Sequence, residues 1–416
     1  MNEASIVFIY TCLLLLSTSN ALRTRTNAIK EDEIPTTKIH VPLVAVKNSH
    51  HAYVYIGSPP QQKLVIVDTG SRHLVFPCQP CHQCGKHHYS KSYFDTSLST
   101  TAISNKCSDN ECSFSNIPSK NGMCPYANDE CHFRQGYTEG SHLKGFEVED
   151  IVFFGTGNYE QSIKVHLQTA VPFSFGCETA ETGMIANQFA DGIVGMISLQ
   201  QDTVIDMMYR EGAIPHYGFS MCMTSNAGTL SIGGTSLKHQ HQEQMTFEPL
   251  KHGKYYSVKI KSFKVGDIEM KGNRKGFIDE VFNQGKGTII DSGTTDTYIS
   301  KAIEKEFKSA WKTITGGKFH NNAQNLSKEQ FEKLPNITIT LSSGYDWIIQ
   351  PEQYMEQPKG KVDVKSEWSG TAQFISRIYV DEPEGAVLGS NAMINHDILF
   401  DVGNMRLGIA RSNCDQ

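Results

Sequence analysis

The sequence predicts a mostly β protein built as two lobes, and three observations carry that expectation. Two short acidic motifs, Asp68-Thr69-Gly70-Ser71 and Asp291-Ser292-Gly293-Thr294, lie more than two hundred residues apart. Each follows a short apolar run, Leu64-Val65-Ile66-Val67 before the first and Thr288-Ile289-Ile290 before the second. That context reads as a buried strand ending in a tight turn, with the carboxylate at the strand tip. Third, a chain of 416 residues has room for two lobes of roughly 170–190 residues each. Brought face to face, the two turns put two carboxylates in one site. One Asp-Thr-Gly is weak evidence, but two in matching contexts are specific. The rival is a pair of unrelated surface turns.

With their surroundings, these motifs resemble the pepsin-like aspartic proteases from about Tyr53 to Arg411. Tyr53-Val54-Tyr55-Ile56-Gly57-Ser58-Pro59-Pro60-Gln61-Gln62 is similar to the family's entry hairpin. Ala190-Asp191-Gly192-Ile193-Val194-Gly195-Met196 and Gly385-Ala386-Val387-Leu388-Gly389 resemble the segments that support each catalytic loop. The stretch from Phe400 to Ala410 resembles the closing hairpin. Recurrence of these elements in both halves implies a duplicated lobe. The resemblance implies a bilobal fold with a central cleft and an aspartic-type endopeptidase acting on polypeptides, with Asp68 and Asp291 catalytic. It implies that Thr69 and Ser292 bond across to the opposite loop, that Gly70 and Gly293 complete the turns, and that Ser71 and Thr294 hydrogen-bond the carboxylates from outside.

The chemistry has its own logic. Peptide hydrolysis without a covalent intermediate needs a base to activate water and an acid to protonate the carbonyl oxygen. Two carboxylates about 3 Å apart cannot both ionise cheaply, so they share one proton. Their titration belongs to the pair, and no separate roles are assigned. No cofactor is expected.

From the start of the chain, the apolar run from Ile6 to Leu16 followed by Ser19-Asn20-Ala21 reads as a secretory signal over residues 1–21. Its first residues carry no Lys or Arg. An uncleaved anchor is the alternative, but the run falls short of a ~20-residue span. No membrane span is expected in the mature chain. Residues 22–50, charged and poor in aromatics, read as a short prosegment or flexible arm. The N-terminal lobe is expected over 51–243, the C-terminal lobe over 244–411 and a tail over 412–416. The net charge of -6, with scattered Lys and Arg, gives no reason to expect nucleic acid. A monomer is expected.

Ten cysteines follow the signal: Cys78, Cys81, Cys84, Cys107, Cys112, Cys124, Cys131, Cys177, Cys222 and Cys414. Seven crowd into residues 78–131, a segment without the alternation needed for a core, so cross-links are the expected substitute. Seven is odd, so at least one pairs outside the insertion or stays free. Cys177 and Cys414 are candidates for each other. The rival is a metal site, since Cys78-x2-Cys81-x2-Cys84-x2-His87 has zinc-like spacing; an oxidising route argues against it. The stretch Lys86-His87-His88 is expected to face solvent. The insertion sharpens the resemblance toward the nepenthesin-type subgroup, and its spacing is most similar to the plasmepsin V group, as are Phe219-Ser220-Met221-Cys222 and the stretch from Gly228 to Gly234. Arg72-His73 depart from the small polar pair usual after the first motif.

A flap should close over the substrate and exclude water. Gly136-Tyr137-Thr138-Glu139-Gly140-Ser141 has the content of a hairpin tip. Tyr137 matches the family's flap tyrosine. By the same resemblance Glu139 binds an arginine of the substrate upstream of the cut, as a carboxylate taking a bidentate guanidinium; the alternative is a solvated hairpin glutamate.

In the second half, Val258, Ile260, Phe263 and Val265 have strand character. Lys301–Lys312 reads as a helix with apolar Ile303, Phe307, Ala310 and Trp311 at helical spacing and Ser300 as N-cap. Residues 316–325 read as a polar loop. Asn325-Leu326-Ser327 and Asn336-Ile337-Thr338 fit glycosylation acceptors. The expected location is the secretory pathway: endoplasmic reticulum lumen, vacuole or extracellular space. The rival function classes are a catalytically inactive pepsin-like binding or inhibitor protein, and a zinc-stabilised interaction module resting on the insertion alone.

Overall fold

The computed structural model describes residues 35–414 except 38, 47–48, 110–111, 113, 115–123, 125–128, 198, 200–201, 237–239, 359–363, 365 and 367. The expected signal over 1–21, residues 22–34 of the expected arm and the last two residues of the expected tail lie outside that set.

The fold is mostly β, and β-branched runs account for the strands nearest the two motifs. Gln61–Asp68 buries Leu64, Val65 and Val67, and Thr288–Ile290 is buried throughout. Each pairs in parallel with one of the short supporting strands. Gln61–Asp68 lies beside Gly192–Gly195, and Thr288–Ile290 beside Ala386–Leu388. A second strand then crosses each supporting strand antiparallel: Leu74–Pro77 in the first half and Thr297–Ser300 in the second. The two halves thus repeat one arrangement, a strand and its parallel partner with the acidic turn between them. Glycine is required where these layers touch. A Cβ on Gly195 would sit 2.3 Å from the Arg72 carbonyl carbon, and one on Gly389 would sit 2.0 Å from the Asp296 carbonyl oxygen.

Among the described residues, fifteen strands form one continuous sheet. At its middle, Ile39–Val46 pairs with Ala227–Ile232 on one side and Ser49–Ile56 on the other. The sheet continues one way through Gln61–Asp68 to the antiparallel pair of His142–Gly155 and Val171–Thr182. The other way it runs through Phe219–Met223 to His396–Asp401 and Arg406–Asn413, which also holds Thr246–Pro249. Smaller sheets of five, four and three strands lie among the described residues of the second half.

Several expectations change. The stretch read as a flexible arm is a strand from Ile39 onward, with Val41 and Leu43 buried. Pro42 is the exposed position between them. The helix starts later than expected. Lys301–Ile303 is a 3₁₀ turn, capped by Ser300 Oγ accepting from Ala302 N–H at 3.3 Å, and the α-helix runs Glu304–Thr315. Phe307, Ala310 and Trp311 are its buried stripe, and Gly316 closes it at φ +75°. The polar loop behind it is not wholly polar: Phe319 is buried edge-on against Phe307 and Trp311, both at 4.9 Å, and Gln324–Ser327 is a strand. Asn325 and Asn336 are both exposed.

The ten cysteines form five disulfides: Cys78–Cys177, Cys81–Cys84, Cys107–Cys124, Cys112–Cys131 and Cys222–Cys414. The expected Cys177–Cys414 pair is therefore wrong. Leu74–Pro77 runs parallel to Val171–Thr182 with Phe76 opposite Cys177, which delivers Cys78 to Cys177. The zinc-like run is split, since Cys78 leaves it and Cys81 pairs with Cys84. The solvent-facing expectation fails for His88. That ring is buried, with Nδ1 2.7 Å from the Ala190 carbonyl and Nε2 3.1 Å from Glu181, while His87 is exposed. Among the described residues no helix is long and apolar enough to cross a membrane.

Candidate active site

The two acidic turns meet. The Asp68 and Asp291 carboxylates each lie against the glycine of the opposite turn. A Cβ on Gly70 would sit 2.6 Å from an Asp291 oxygen, and one on Gly293 would sit 2.2 Å from an Asp68 oxygen. Each turn therefore needs glycine because the opposite carboxylate occupies that space.

The support is symmetric. Asp68 accepts from Gly70 N–H at 2.8 Å and from the Ser71 hydroxyl at 2.5 Å. Asp291 accepts from Gly293 N–H at 3.0 Å and from the Thr294 hydroxyl at 2.7 Å. Thr69 and Ser292 lock the turns to one another. The Thr69 hydroxyl donates to the Ile290 carbonyl at 3.0 Å and accepts from Ser292 N–H at 2.9 Å. The Ser292 hydroxyl donates to the Val67 carbonyl at 2.6 Å and accepts from Thr69 N–H at 3.1 Å. These four bonds are buried, so losing either hydroxyl leaves two groups unsatisfied. Sequence reasoning missed a further tie behind the dyad, the Tyr256 hydroxyl donating to the Met196 carbonyl at 2.7 Å. No motif marks that tyrosine.

The carboxylates differ in environment. Asp68 is buried and Asp291 is half-buried. Burial, reinforced by the neighbouring Asp291 charge, pushes Asp68 up to about 7. At a pH below that value the pair holds a proton between two oxygens that would otherwise repel.

Tyr137 and Glu139 occupy the turn between the strands His132–Gly136 and His142–Gly155. The Tyr137 and Ser141 backbones close the turn, and Gly140 adopts φ +94° at its tip. The Tyr137 ring packs against the cluster of Val75, Phe133, Leu143, Ile185 and Ile193. Burial, then the Asp68 charge, raises its phenol well above the ordinary value. Tyr137 thus lies close enough to Asp68 to feel its charge, whereas Glu139 is exposed. Ser141 pins the end of the turn, its hydroxyl accepting from Met184 N–H at 3.0 Å. In the insertion the four sulfurs of Cys107, Cys112, Cys124 and Cys131 lie within 4.8 Å of one another, bonded two by two.

Two family models cover the chain, "Xylanase inhibitor N-terminal" over residues 51–234 and "Xylanase inhibitor C-terminal" over residues 255–411. Aspartic protease 5 of Toxoplasma gondii is 32% identical over 191 residues, 44% of this chain and 19% of that protein. Plasmepsin V of Plasmodium falciparum is 23% identical over a 454-residue alignment, covering 86% of this chain and 69% of its own length. Nepenthesin-1 of Nepenthes gracilis is 24% identical over 392 residues, covering 86% of this chain and 76% of its own. The match therefore spans about a fifth of the Toxoplasma protein and over two thirds of the other two. With both halves matched and one strand-and-turn arrangement repeated in each, the chain belongs to the pepsin-like aspartic protease family.

Proposed function

We propose that the chain is an aspartic endopeptidase of the secretory pathway, cleaving polypeptides with water activated between Asp68 and Asp291. The observation that carries this reading is the dyad itself: two carboxylates, each set against the glycine of the opposite turn and each with two donors from its own loop, with Asp68 drawn up to about 7. Such a pair holds one proton over a range of pH. The ionised oxygen takes a proton from water as it attacks the peptide carbonyl, and the shared proton moves to the carbonyl oxygen. The turn bearing Tyr137 acts as the flap, and its aromatic ring shields the reacting atoms from bulk water.

Glu139, exposed at the same turn, is proposed to take an arginine upstream of the scissile bond. Flap closure would desolvate the carboxylate, and a bidentate guanidinium offsets that cost. Five disulfides support an oxidising compartment. The endoplasmic reticulum lumen, the vacuole and the exterior all fit.

One observation favours a second reading, an inactive binding or inhibitor protein: both matching family models carry the description of a xylanase inhibitor. Nothing about the dyad's own donors is missing, which supports the protease. Cleavage of a randomised peptide library by the wild type, and by Asp68→Asn and Asp291→Asn, separates the two. The protease reading expects a loss of ~10³-fold or more in each variant, over ~4 kcal/mol of barrier. Wild type that cleaves nothing, or a variant with near wild-type turnover, rejects it.

A further inference from the structure

Arg72 and His73 follow the first acidic turn, and the mechanism above gives them no task. The His73 backbone is fixed, its carbonyl accepting from Gly195 N–H at 2.9 Å. Its ring is engaged on two edges and one face. Arg72 Nε donates to Nε2 at 2.9 Å, and Nδ1 lies 2.8 Å from Gln135 Oε1. An arginine Nε–H only donates, so Nε2 is an unprotonated lone pair. The single ring proton is then on Nδ1 and is donated to the Gln135 carbonyl oxygen. Burial, with the Arg72 charge adding to it, lowers the imidazole to about 4, which keeps this neutral form. Phe114, from the cysteine-rich insertion, stacks on the ring at 3.9 Å and 24°, and also packs on Phe133 at 4.7 Å.

Gln135 sits on His132–Gly136, two residues before Tyr137. His73 therefore joins the loop that carries Asp68 to the strand that carries the flap, and Phe114 closes the back of that joint. Cys112–Cys131 ties the same insertion to the foot of the strand. We propose that His73 is a positioning residue: a neutral ring held between Arg72 and Gln135, and backed by Phe114, that sets the place of the Tyr137 turn over the Asp68 loop. Its effect on turnover rests on the protease reading; its effect on the flap does not.

The test compares wild type with His73→Leu, Gln135→Met, the double variant and His73→Asn, whose amide N–H can replace Nδ1–H. Hydrogen–deuterium exchange over residues 132–143 reads the flap without any need for activity. Exchange is expected to rise in both single variants, to rise no further in the double variant, and to return toward wild type in His73→Asn. Peptide hydrolysis should show the same pattern, kcat falling about tenfold while KM changes little, as expected when positioning rather than uniform binding is lost. Unchanged flap exchange in His73→Leu and Gln135→Met, or losses that simply add in the double variant, overturns the proposal. Responsive exchange in a protein that cleaves no peptide keeps the joint and rejects the protease reading. If His73→Leu does not fold, Gln135→Met against His73→Asn carries the comparison: loosening in the first and wild-type exchange in the second supports the proposal, and equal behaviour overturns it.

Discussion

Replacing Asp68 with Asn should inactivate the dyad and, above neutral pH, leave a more stable protein. Asp68 moves from 3.8 to about 7 on folding, chiefly through burial and then through Asp291. The sign follows from which state holds the proton. Below pH 3.8 folded and unfolded chains are both protonated there, and the residue contributes nothing. Between 3.8 and about 7 the folded chain keeps a proton that the unfolded chain has released, so each rise of one pH unit costs the fold up to ~1.4 kcal/mol. Over roughly three units the cost approaches ~4 kcal/mol as an upper limit. Asparagine never ionises and escapes this cost, but it serves Gly70 N–H and the Ser71 hydroxyl less well than a carboxylate, a loss of ~1–2 kcal/mol. The difference in stability, variant minus wild type, should therefore be slightly negative at pH 4 and about +2 kcal/mol at pH 8, on the order of 5 °C in Tm for a lobe of this size. Calorimetry of both proteins across that range measures it, since groups common to both cancel. A difference that stays flat with pH would mean that Asp68 is not held up in the fold, and the shared-proton argument would lose its basis.

Other expectations follow from the same geometry. Cys78→Ser should cost on the order of 4–5 kcal/mol, because its bond closes a loop of 99 residues; mass mapping of non-reduced peptides should recover Cys78 with Cys177 and Cys222 with Cys414, and free thiols at all four would refute this. Glu139→Ala should lower kcat/KM for peptides with an upstream Arg by ~10- to 100-fold and spare those with Ala there; an unchanged Arg-to-Ala ratio returns Glu139 to a solvated turn residue. Glu181→Gln should cost ~3 kcal/mol near pH 5.5 and less toward pH 9 by denaturant titration. Burial works against both charges in this pair, yet Glu181 keeps His88 above 6.5, and bonds from His88 and Gly85 help keep Glu181 below 4.5. The histidine contribution is full below 6.5 and fades as pH rises through its raised value. The glutamate contribution is present above 4.5 and fades as pH falls through its lowered value. A loss independent of pH would show that the two are not an ion pair.

The acidic turns were legible because their causes are local. A β-branched run, a carboxylate and a small-residue turn sit within eight residues, and Thr69, Ser71, Ser292 and Thr294 bond within or directly across those turns. The Cys78–Cys177 bond was not legible, because it depends on Leu74–Pro77 finding Val171–Thr182 in parallel register. His88 was misread for the same reason: Glu181 and Ala190, which bury it, are about a hundred residues away. Ile39–Val46 was not legible either, because it is held by Ala227–Ile232, far away in the sequence. The helix at Glu304 began late because Ser300 capped a 3₁₀ turn first.

The central sheet has a consequence for how the protein is made. His396–Asp401 is the neighbour of Phe219–Met223, and Cys414 bonds to Cys222 in that strand. Residues 396–414 leave the ribosome after every segment they bond to. Until they arrive, the strand from Phe219 presents an unpaired apolar edge, the kind of surface that recruits other chains. The nascent protein thus spends the interval between making Met223 and making His396 with that edge open. A helper that binds extended apolar strands, or the pace of synthesis across that interval, would therefore affect yield. A stop shortly before His396 should give aggregated material rather than a working half.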